Sequence, residues 1–316
     1  MPDIDVIVVA YRSGARLRDC VSSLVGAPGV TVIVVDNDPD AKDLALVSDL
    51  PVVTVAPGRN RGFAAGCNAG LAVGLAPYVL LLNPDARLDR QSIDALENVL
   101  RSDGSVGAVG PTIFDHDGRL DFSQRRFPRI ASTFAQALFL HRIFPTAHWV
   151  DEVLRDERLY AAPRDAEWLS GACLMLRRSL VDELDGLDES FFMYCEDTDI
   201  CRRIWDSGYR VRFEPTAVAF HEGGASAPRA SLLPVLAASR MRYARKHDSP
   251  MTAFLQRVGF ALSALTHLII GRGGLETRAS WARSLGMIAA GSPVLARWLG
   301  GTELDLADRA SIDTPS

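Results

Sequence analysis

Acidic residues follow short apolar runs at three places in the sequence. Asp36 ends a valine-rich run, and Asp85 closes the polar turn of LLLNPDA at residues 80–86. Glu196 and Asp197 follow the aromatic run FFMY. A carboxylate at the C-terminal end of a parallel strand faces the crevice where open α/β sheets bind ligands. We therefore expect Asp85 to hold a divalent metal on a diphosphate.

Each of these patterns also has a purely structural explanation. Asp36 either accepts hydrogen bonds from a base or ribose, or it is a turn acid or helix cap. Glu196 and Asp197 could simply be acids in the first turn of a helix, where the helix dipole stabilises them. They could equally include a general base in a site that is partly shielded from water. His221 lies in the sequence HEGG. A single histidine in such a place is more often a loop residue than a metal ligand.

The elements that must position these side chains alternate between strands and helices. Continuous apolar runs of this kind are typical of strands buried on both faces of a parallel sheet. Short connections between them favour right-handed βαβ units, so the polar strand ends should lie along one sheet edge. The predicted strands of this half are 4–10, 31–35, 51–55 and 78–82, with helices at 15–25 and 91–101.

A glycine-rich segment, PGRNRGFAAGCNAG at residues 57–70, runs into another predicted helix. Gly62, Gly66 and Gly70 are four apart and therefore share one helical face, which permits close approach of another backbone. Backbone N–H groups at the helix start and the neighbouring arginines suit a phosphate. The same glycine spacing also fits simple packing of a helix on a sheet.

The second half is less regular. We predict a strand at 106–109, one strand running from 168 to 176, and further strands at 209–213 and 217–220. The arginine pair Arg125-Arg126 lies in a polar, turn-rich stretch, where a solvated loop is a simpler explanation than contact with an acidic substrate.

Composition narrows the class of protein. The chain has 316 residues and a net charge of −5, which argues against general nucleic-acid binding because no basic surplus can neutralise phosphates. Five scattered cysteines without a CxxC pair, and an N-terminus that lacks the pattern of a signal peptide, predict a cytoplasmic location with free thiols.

The C-terminal region contains a predicted basic helix at 233–247, an apolar segment at helical spacing from Phe254 to Ile269, and an amphipathic helix at 284–299. A basic helix beside an apolar one can lie on an anionic membrane, or both can pack on the catalytic domain. The apolar run 258–270 is too short for a comfortable membrane span.

The order of the motifs resembles that of the family 2 inverting glycosyltransferases with the GT-A fold, in particular the actinobacterial rhamnosyltransferase-like branch. The resemblance covers about residues 4–247, and the motifs that carry it are VVAYRSG, VVDN, NRGFAAGCNAG, LLLNPDA, WLSGACLMLRR, FFMYCEDTDICRR and HEGG. It implies an α/β fold with a Rossmann-like, mostly parallel sheet flanked by helices, followed by C-terminal amphipathic helices.

The resemblance also implies residue roles. Asp197 would be the catalytic base, and Asp85 with His221 would bind Mg²⁺ or Mn²⁺ as cofactor. Asn83 stands where the family usually has the first Asp of D-x-D, so it would touch the donor sugar or ribose. The acceptor side would be shaped by Trp168, Gly171 and Glu196. The residues expected to bind the donor are Ala10, Tyr11, Arg12, Asp36, Asn60, Gly62, Asn68, Asn83 and Asp85.

The activity implied is inverting transfer of a sugar, expected to be L-rhamnose from dTDP-rhamnose, to a hydroxyl of a lipid-linked or polysaccharide acceptor in cell-envelope glycan assembly. Other donors left open are UDP-galactofuranose, UDP-GlcNAc, UDP-glucose and GDP-mannose. The resemblance is also compatible with peripheral contact with the inner face of the cell membrane and with a homo-oligomer.

The domain organisation expected is a GT-A domain at 1–228, with a donor half to about residue 110 and an acceptor half from 111. A helical region at 229–300 and a disordered tail at 301–316 would follow. Two other classes of protein fit part of the pattern. A nucleotidyltransferase would share the sheet and the metal-binding acid, but 11–16 poorly match its glycine-rich loop. An inactive sugar- or lipid-binding module would not need Asp85, Asp197 and His221.

Overall fold

The computed structural model describes residues 3–144, 147–223, 230–271 and 274–290. The chain divides into two compact units. The first unit comprises 1–126, 156–189 and 196–226, and the second comprises 127–155, 190–195 and 227–316. The second unit therefore takes in two segments besides the C-terminal helices. The predicted domain boundary at 228 remains a prediction, and the predicted tail at 301–316 lies outside the described residues.

The strands are β1 (Ile4–Ala10), β2 (Val30–Asp36), β3 (Val53–Val55), β4 (Tyr78–Leu82), β5 (Ala86–Leu88), β6 (Val106–Phe114), β7 (Leu120–Asp121), β8 (Gln124–Arg125), β9 (Arg164–Asp165), β10 (Trp168–Leu169), β11 (Cys173–Arg177) and β12 (Arg210–His221). The α-helices are α1 (Ala15–Ser22), α2 (Phe63–Leu71), α3 (Arg90–Ser102), α4 (Ile130–Ala137), α5 (Arg178–Glu183), α6 (Glu196–Asp206), α7 (Leu233–His247), α8 (Pro250–Ile269) and α9 (Leu275–Ala290). Short 3₁₀ helices occupy Lys42–Val47, Leu140–Arg142 and Glu157–Tyr160.

One mixed sheet forms the centre of the first unit. Its strand order is β3-β2-β1-β4-β11-β6-β12-β5, with β7 beside β6 and β9 beside β12. The pairs β1–β2, β1–β4, β2–β3 and β6–β12 are parallel, whereas β11 runs antiparallel to both β4 and β6. The sheet and its helices confirm the predicted α/β class, and the four predicted N-terminal strands are all present.

The two faces of β1 pack against different helices because successive side chains of a strand point to opposite faces. Val6 and Val8 face the core formed with α1 and α3. Ile7 and Val9 lie under α2, where a Cβ built on Gly70 would come within 2.6 Å of Ile7 and one on Gly66 within 2.6 Å of Val9. The glycine spacing therefore serves helix-on-sheet packing at these two positions.

Two sequence predictions in the second half of the sheet were wrong. The run predicted as one strand from 168 to 176 divides into β10, which pairs with β8 in a separate two-stranded sheet, and β11 in the central sheet. The break at Gly171 turns the chain from one sheet to the other. The strands predicted at 209–213 and 217–220 are instead one strand, β12, with a register shift between Glu214 and Val218. His221 is therefore the last residue of a strand.

The second unit is helical. Its α7, α8 and α9 enclose an apolar cluster that contains Val235, Met241, Phe260 and Met287. The prediction of a helix at 233–247 is confirmed by α7. The helix predicted at 284–299 begins earlier, at Leu275, and its last part lies outside the described residues. Within the described part of the chain, no helix is long and apolar enough to cross a membrane.

The contact of α2 with β1 gives a stability prediction. Gly70→Val should lower the free energy of unfolding by about 2 kcal/mol or more, because the new side chain must displace Ile7 in a packed core. Urea unfolding followed by circular dichroism measures this. Gly104→Val is the matched control, since nothing lies within 4 Å of a Cβ there, and it should change stability by about 0.5 kcal/mol or less. Equal effects of the two changes would contradict the packing described.

Candidate active site

The polar residues that follow β1, β2 and β4 lie at one sheet edge. In the parallel register Ala10 is opposite Asp36, and Val8 is opposite Leu82, the residue before Asn83. The N–H of Asn37 bonds to the carbonyl of Ala10 at 2.8 Å, which ties the two strand ends together. The structure thus brings the predicted strand-end residues to one place, as expected for an open sheet.

Asp36 is fully buried and organises the turn after β2. Its Oδ1 accepts the N–H of Asp38, and its Oδ2 accepts the N–H of Asp43, both at 2.9 Å. Burial raises the pKa of Asp36, and these N–H groups offset part of that rise. Asp38 in turn pairs with Arg12 at 2.9 Å. Asp36 therefore shapes the loop that holds Arg12, and its direct contact with a base or ribose remains a prediction.

Tyr11 and Arg12 continue from the end of β1. Arg12 adopts a left-handed backbone conformation, with φ of 53°, and its guanidinium lies 5.0 Å from the centre of the Tyr11 ring. Such a conformation is uncommon for a residue with a side chain and concentrates at functional sites. The Arg12 side chain is 46% exposed, so it remains accessible beside the strand ends.

Asn60 and Gly62 form the entry to α2. The Oδ1 of Asn60 accepts the N–H of Gly62 at 2.9 Å, and Gly62 has a φ of 93° that glycine adopts readily. The carbonyl of Gly62 accepts the side-chain amide of Asn37 at 2.9 Å. These contacts fix the start of α2 near the strand ends, where helix N–H groups could serve a phosphate.

The side chain of Asn68 has a structural role, because it bonds to the backbone of another loop. Its Nδ2 donates to the carbonyl of Leu187 at 2.8 Å, and its Oδ1 accepts the N–H of the same residue at 2.9 Å. A second bond joins Nδ2 to Glu189 at 3.1 Å. The amide thereby anchors the loop after α5 to α2. Its predicted role in supporting the donor remains a prediction.

Asp85 and His221 meet where β12 pairs with β5. His221 is opposite Ala86 in the antiparallel register, and its Nε2 lies 3.3 Å from Oδ1 of Asp85. The side-chain nitrogen of Asn83 lies 3.0 Å from the same Nε2. Oδ2 of Asp85 accepts the N–H of Gly223 at 3.1 Å. An imidazole nitrogen, a carboxylate and an amide group therefore converge from opposite ends of the sequence.

The electrostatics of Asp85 favour its charged form. Burial acts to raise the pKa of this carboxyl, but the hydrogen bond with His221, together with the N–H of Gly223, outweighs burial and lowers it. A carboxylate that stays charged in a largely buried site is suited to bind a cation.

These residues are chemically suited to a divalent metal. Two ligands of one Mg²⁺ ion, each at about 2.1 Å, lie about 3 Å apart at right angles, close to the spacing of Asp85 and His221. Among the residues that the structure describes, no cluster of three His, Cys, Asp or Glu side chains exists. Mg²⁺ commonly binds through one or two carboxylates plus substrate phosphates, so a nucleotide diphosphate would supply the remaining ligands.

Asp197 lies in the first turn of α6 and faces the start of β11. Its Oδ2 accepts the N–H of Gly171 at 3.0 Å, and its Oδ1 accepts the N–H of Thr198 at 2.7 Å and the Thr198 hydroxyl at 3.3 Å. A Cβ at position 171 would come within 3.2 Å of the Cβ of Asp197. Glycine at 171 therefore allows the close approach that this hydrogen bond requires.

A short hydrogen-bonded path links Asp197 to the proposed metal ligands. Gly171 binds Asp197, and the next residue, Ala172, accepts the N–H of Asn83 through its carbonyl at 3.0 Å. The side chain of Asn83 then contacts His221. Because β11 pairs with β4, two neighbouring residues, Gly171 and Ala172, bond to the predicted base and to the turn that bears Asp85, respectively.

Glu196 precedes Asp197 and is buried, and its Oε2 has no hydrogen-bond partner among the residues that the structure describes. Burial raises the pKa of Glu196 well above its usual range, and the charge of Asp197 raises it further. Burial also raises the pKa of Asp197, but two backbone N–H groups and Arg125 favour its charged form. Burial raises the pKa of Glu196 to about 8, so Glu196 keeps a proton near neutral pH, and Asp197 is the member of the pair whose charged form is favoured by hydrogen bonds.

Arg125 acts on Asp197 through its charge and also contacts Trp168. Arg125 and Trp168 are paired in the two-stranded sheet of β8 and β10, and the Arg125 guanidinium lies 5.1 Å from the centre of the Trp168 ring. The indole N–H of Trp168 donates to the carbonyl of Arg126 at 2.8 Å. The sequence interpretation of Arg125 as a solvated loop residue was wrong. No local signal connects it with Trp168, because a strand of two residues is too short to carry periodicity.

Solved structures identify the class of fold. The chain is similar to a mannosyltransferase, PcManGT from Pyrobaculum calidifontis, solved in complex with GDP-Man and Mn²⁺, with a TM-score of 0.50 and 17% identity over 98% of this chain and 85% of that chain. The fold is the GT-A fold of glycosyltransferases.

The sequence comparisons then identify the family. The model of glycosyl transferase family 2 matches residues 5–185, more than half of the chain. An N-acetylglucosaminyl-diphospho-decaprenol L-rhamnosyltransferase of Mycobacterium tuberculosis is 33% identical over 241 residues, which cover 72% of this chain and 78% of that protein. Rhamnosyltransferase WbbL of Escherichia coli K12 is 28% identical over 145 residues, 46% of this chain and 52% of that protein. The chain belongs to glycosyl transferase family 2, in its rhamnosyltransferase-like branch.

The contacts of Asn68 lead to a prediction about stability. Asn68→Ala should lower the free energy of unfolding by about 1–3 kcal/mol, because it leaves the N–H and carbonyl of Leu187 without their partners. Urea unfolding measures the loss. Asn98→Ala, at an exposed position of α3, is the control and should cost about 0.5 kcal/mol or less. If Asn68→Ala were as stable as the control and only weakened donor binding, Asn68 would be a donor ligand and not an anchor.

Proposed function

We propose that this glycosyltransferase moves L-rhamnose from dTDP-rhamnose to a hydroxyl of a lipid-linked acceptor, with inversion at the anomeric carbon. The observation that carries the proposal is the path that joins Asp197 through Gly171 and Ala172 to Asn83 and His221. The 33% identity to a rhamnosyltransferase of this family supports the choice of sugar. The family match favours a transferase over the nucleotidyltransferase and the inactive module.

Asp197 is the proposed general base. Its Oδ1 already accepts two hydrogen bonds from Thr198, whereas Oδ2 accepts one from Gly171 and retains a lone pair. Oδ2 would take the proton of the acceptor hydroxyl as the oxygen attacks the anomeric carbon. The bond from that carbon to the diphosphate breaks in the same displacement, so the configuration inverts and the nucleoside diphosphate leaves with the electron pair.

Asp85 and His221 would hold Mg²⁺ or Mn²⁺, and Asn83 would orient the donor beside them. The ion would neutralise charge on the departing diphosphate. Arg12, exposed at the end of β1, would contribute a further positive charge near the nucleotide. On the acceptor side, Trp168 would provide an apolar wall and Glu196 a neutral neighbour for the base.

The donor is tested by thermal stabilisation. With Mn²⁺ present, dTDP-rhamnose should raise the melting temperature more than UDP-galactofuranose, UDP-GlcNAc, UDP-glucose or GDP-mannose, because a ligand that binds only the folded state stabilises it. Slow release of dTDP without an acceptor would support a transferase. Stabilisation by another sugar nucleotide alone would replace the proposed donor but keep the enzyme class.

The base assignment is tested by two adjacent changes of carboxylate to amide. Asp197→Asn should bind the donor normally but lose transfer by about 10³-fold or more, because no group remains to take the proton. Glu196→Gln is the matched control and should keep most of its turnover near neutral pH, because an amide replaces a carboxyl that is already uncharged. Equal losses in both variants would remove Asp197 as the sole base.

The pH dependence follows from the same pair. Because burial raises the pKa of Asp197, kcat/KM should fall about tenfold per pH unit as the pH drops below that raised pKa and the base becomes protonated. Glu196→Gln should retain this acidic limb, since Glu196 already carries its proton there. A limb that disappears in Glu196→Gln would assign the titration to Glu196.

The metal site is tested by calorimetry. Asp85→Ala should weaken Mn²⁺-dependent binding of the nucleoside diphosphate by about tenfold or more, because it removes the charged ligand. Asp19→Ala, an exposed acid on α1, should bind like the wild type. Unchanged titration of Asp85→Ala would exclude it as a ligand.

A further inference from the structure

The helix α8 carries an apolar stripe that faces solvent. Its members are spaced three, four or seven residues apart, which places them on one face of a helix. Their exposed fractions lie between 41% and 67%, high for large apolar side chains. The stripe consists of Met251, Phe254, Val258, Leu265 and Ile269.

The opposite face of α8 is already occupied. Gln256, Phe260 and Ala264 are buried there, and the Gln256 side chain bonds to Thr133 of α4. A Cβ on Gly259 would come within 2.6 Å of Thr133, so α8 and α4 are in close contact. The second unit therefore buries one face of α8, whereas the stripe on the other face has no packing partner among the described residues.

The charges around the stripe are mostly positive. Residues 230–271 contain five Lys or Arg residues but only one acid, Asp248, although the whole chain has a net charge of −5. Arg240 is used in a buried ion pair with Glu152 at 3.0 Å, whereas Arg245 and Lys246 are exposed at the end of α7. The basic charge is thus concentrated at the surface beside α8.

A cavity joins the basic residues to the stripe. Its volume is about 350 Å³, and its lining includes Arg245, Asp248, Phe254 and Arg257. Phe254 is a member of the stripe, so guanidinium groups border the apolar surface at this end of α8. An apolar surface bordered by arginines matches the boundary between acyl chains and anionic headgroups.

We propose that α8 lies flat on an anionic bilayer, with the stripe among the acyl chains and Arg245 and Lys246 at the headgroups. The helix is 20 residues long, so the stripe extends about 27–30 Å along the membrane plane. A second copy of the chain fits less well, because a two-fold interface would bring the same basic surface against itself. The proposal builds on the lipid-linked acceptor, but its test measures vesicle binding and not transfer, so either can fail alone.

Flotation of the full-length protein with vesicles tests the proposal. The protein should bind vesicles of equal parts phosphatidylcholine and phosphatidylglycerol, and bind pure phosphatidylcholine much more weakly. The variant Phe254→Gln/Leu265→Gln/Ile269→Gln should lose about tenfold or more of this binding. Arg245→Gln/Lys246→Gln should lose about tenfold or more, because each basic residue at an anionic surface contributes several-fold.

The matched control removes three exposed apolar side chains from the first unit, in Val53→Gln/Val73→Gln/Leu75→Gln, and should bind vesicles like the wild type. Circular dichroism establishes that each variant is folded. Wild-type protein that does not float, or a stripe variant that floats as well as the wild type, would overturn the proposal. Light scattering that shows a wild-type dimer and a monomeric stripe variant would assign the stripe to a second copy instead.

Discussion

The site depends on one antiparallel strand placed between two parallel groups. β11 runs between β4 and β6, and its entry at Gly171 and Ala172 bonds to Asp197 on one side and to Asn83 on the other. A parallel strand here would present its C-terminal end at this edge and would not bring the segment from β10 into the site. The reversed direction is therefore what unites the proposed base with the residues that follow β4.

The same constraint explains why small residues stand at the junction. Gly171 lies so close to Asp197 that any side chain would press on it. The carboxylate receives its N–H bonds from the backbone of the turn before β11 and of the first turn of α6, so these two bonds do not rely on a mobile side chain. A base held in this way needs little rearrangement when an acceptor arrives.

The sequence predicts the donor half of the sheet well, because each of its strands is a continuous apolar run with a polar end. β1 and β4 agree with the prediction residue for residue, and the edge that collects Ala10, Asp36 and Asn83 follows from parallel topology alone. The acceptor half is different. Strands of two residues, such as β8 and β10, carry no periodicity, and the register shift within β12 interrupts the pattern that marks a single strand.

The contacts that a side chain makes are harder to predict from sequence than the helix or strand in which the residue lies. Asn68 lies on α2 as expected, but only the fold reveals that its amide holds Leu187, more than a hundred positions away. His221 has no local signal either, since its meeting with Asp85 depends on the pairing of β12 with β5. In the second unit, periodicity identifies α7 and α8, whereas the choice of which face of α8 is buried depends on α4 and α9.

The most direct measurement of the central claim is anomalous diffraction from crystals grown with Mn²⁺ and dTDP-rhamnose. The account predicts a manganese peak against Asp85 and His221, with the anomeric carbon of the sugar between the diphosphate and Oδ2 of Asp197. A metal bound away from Asp85, or a sugar whose anomeric carbon is turned away from Asp197, would contradict it.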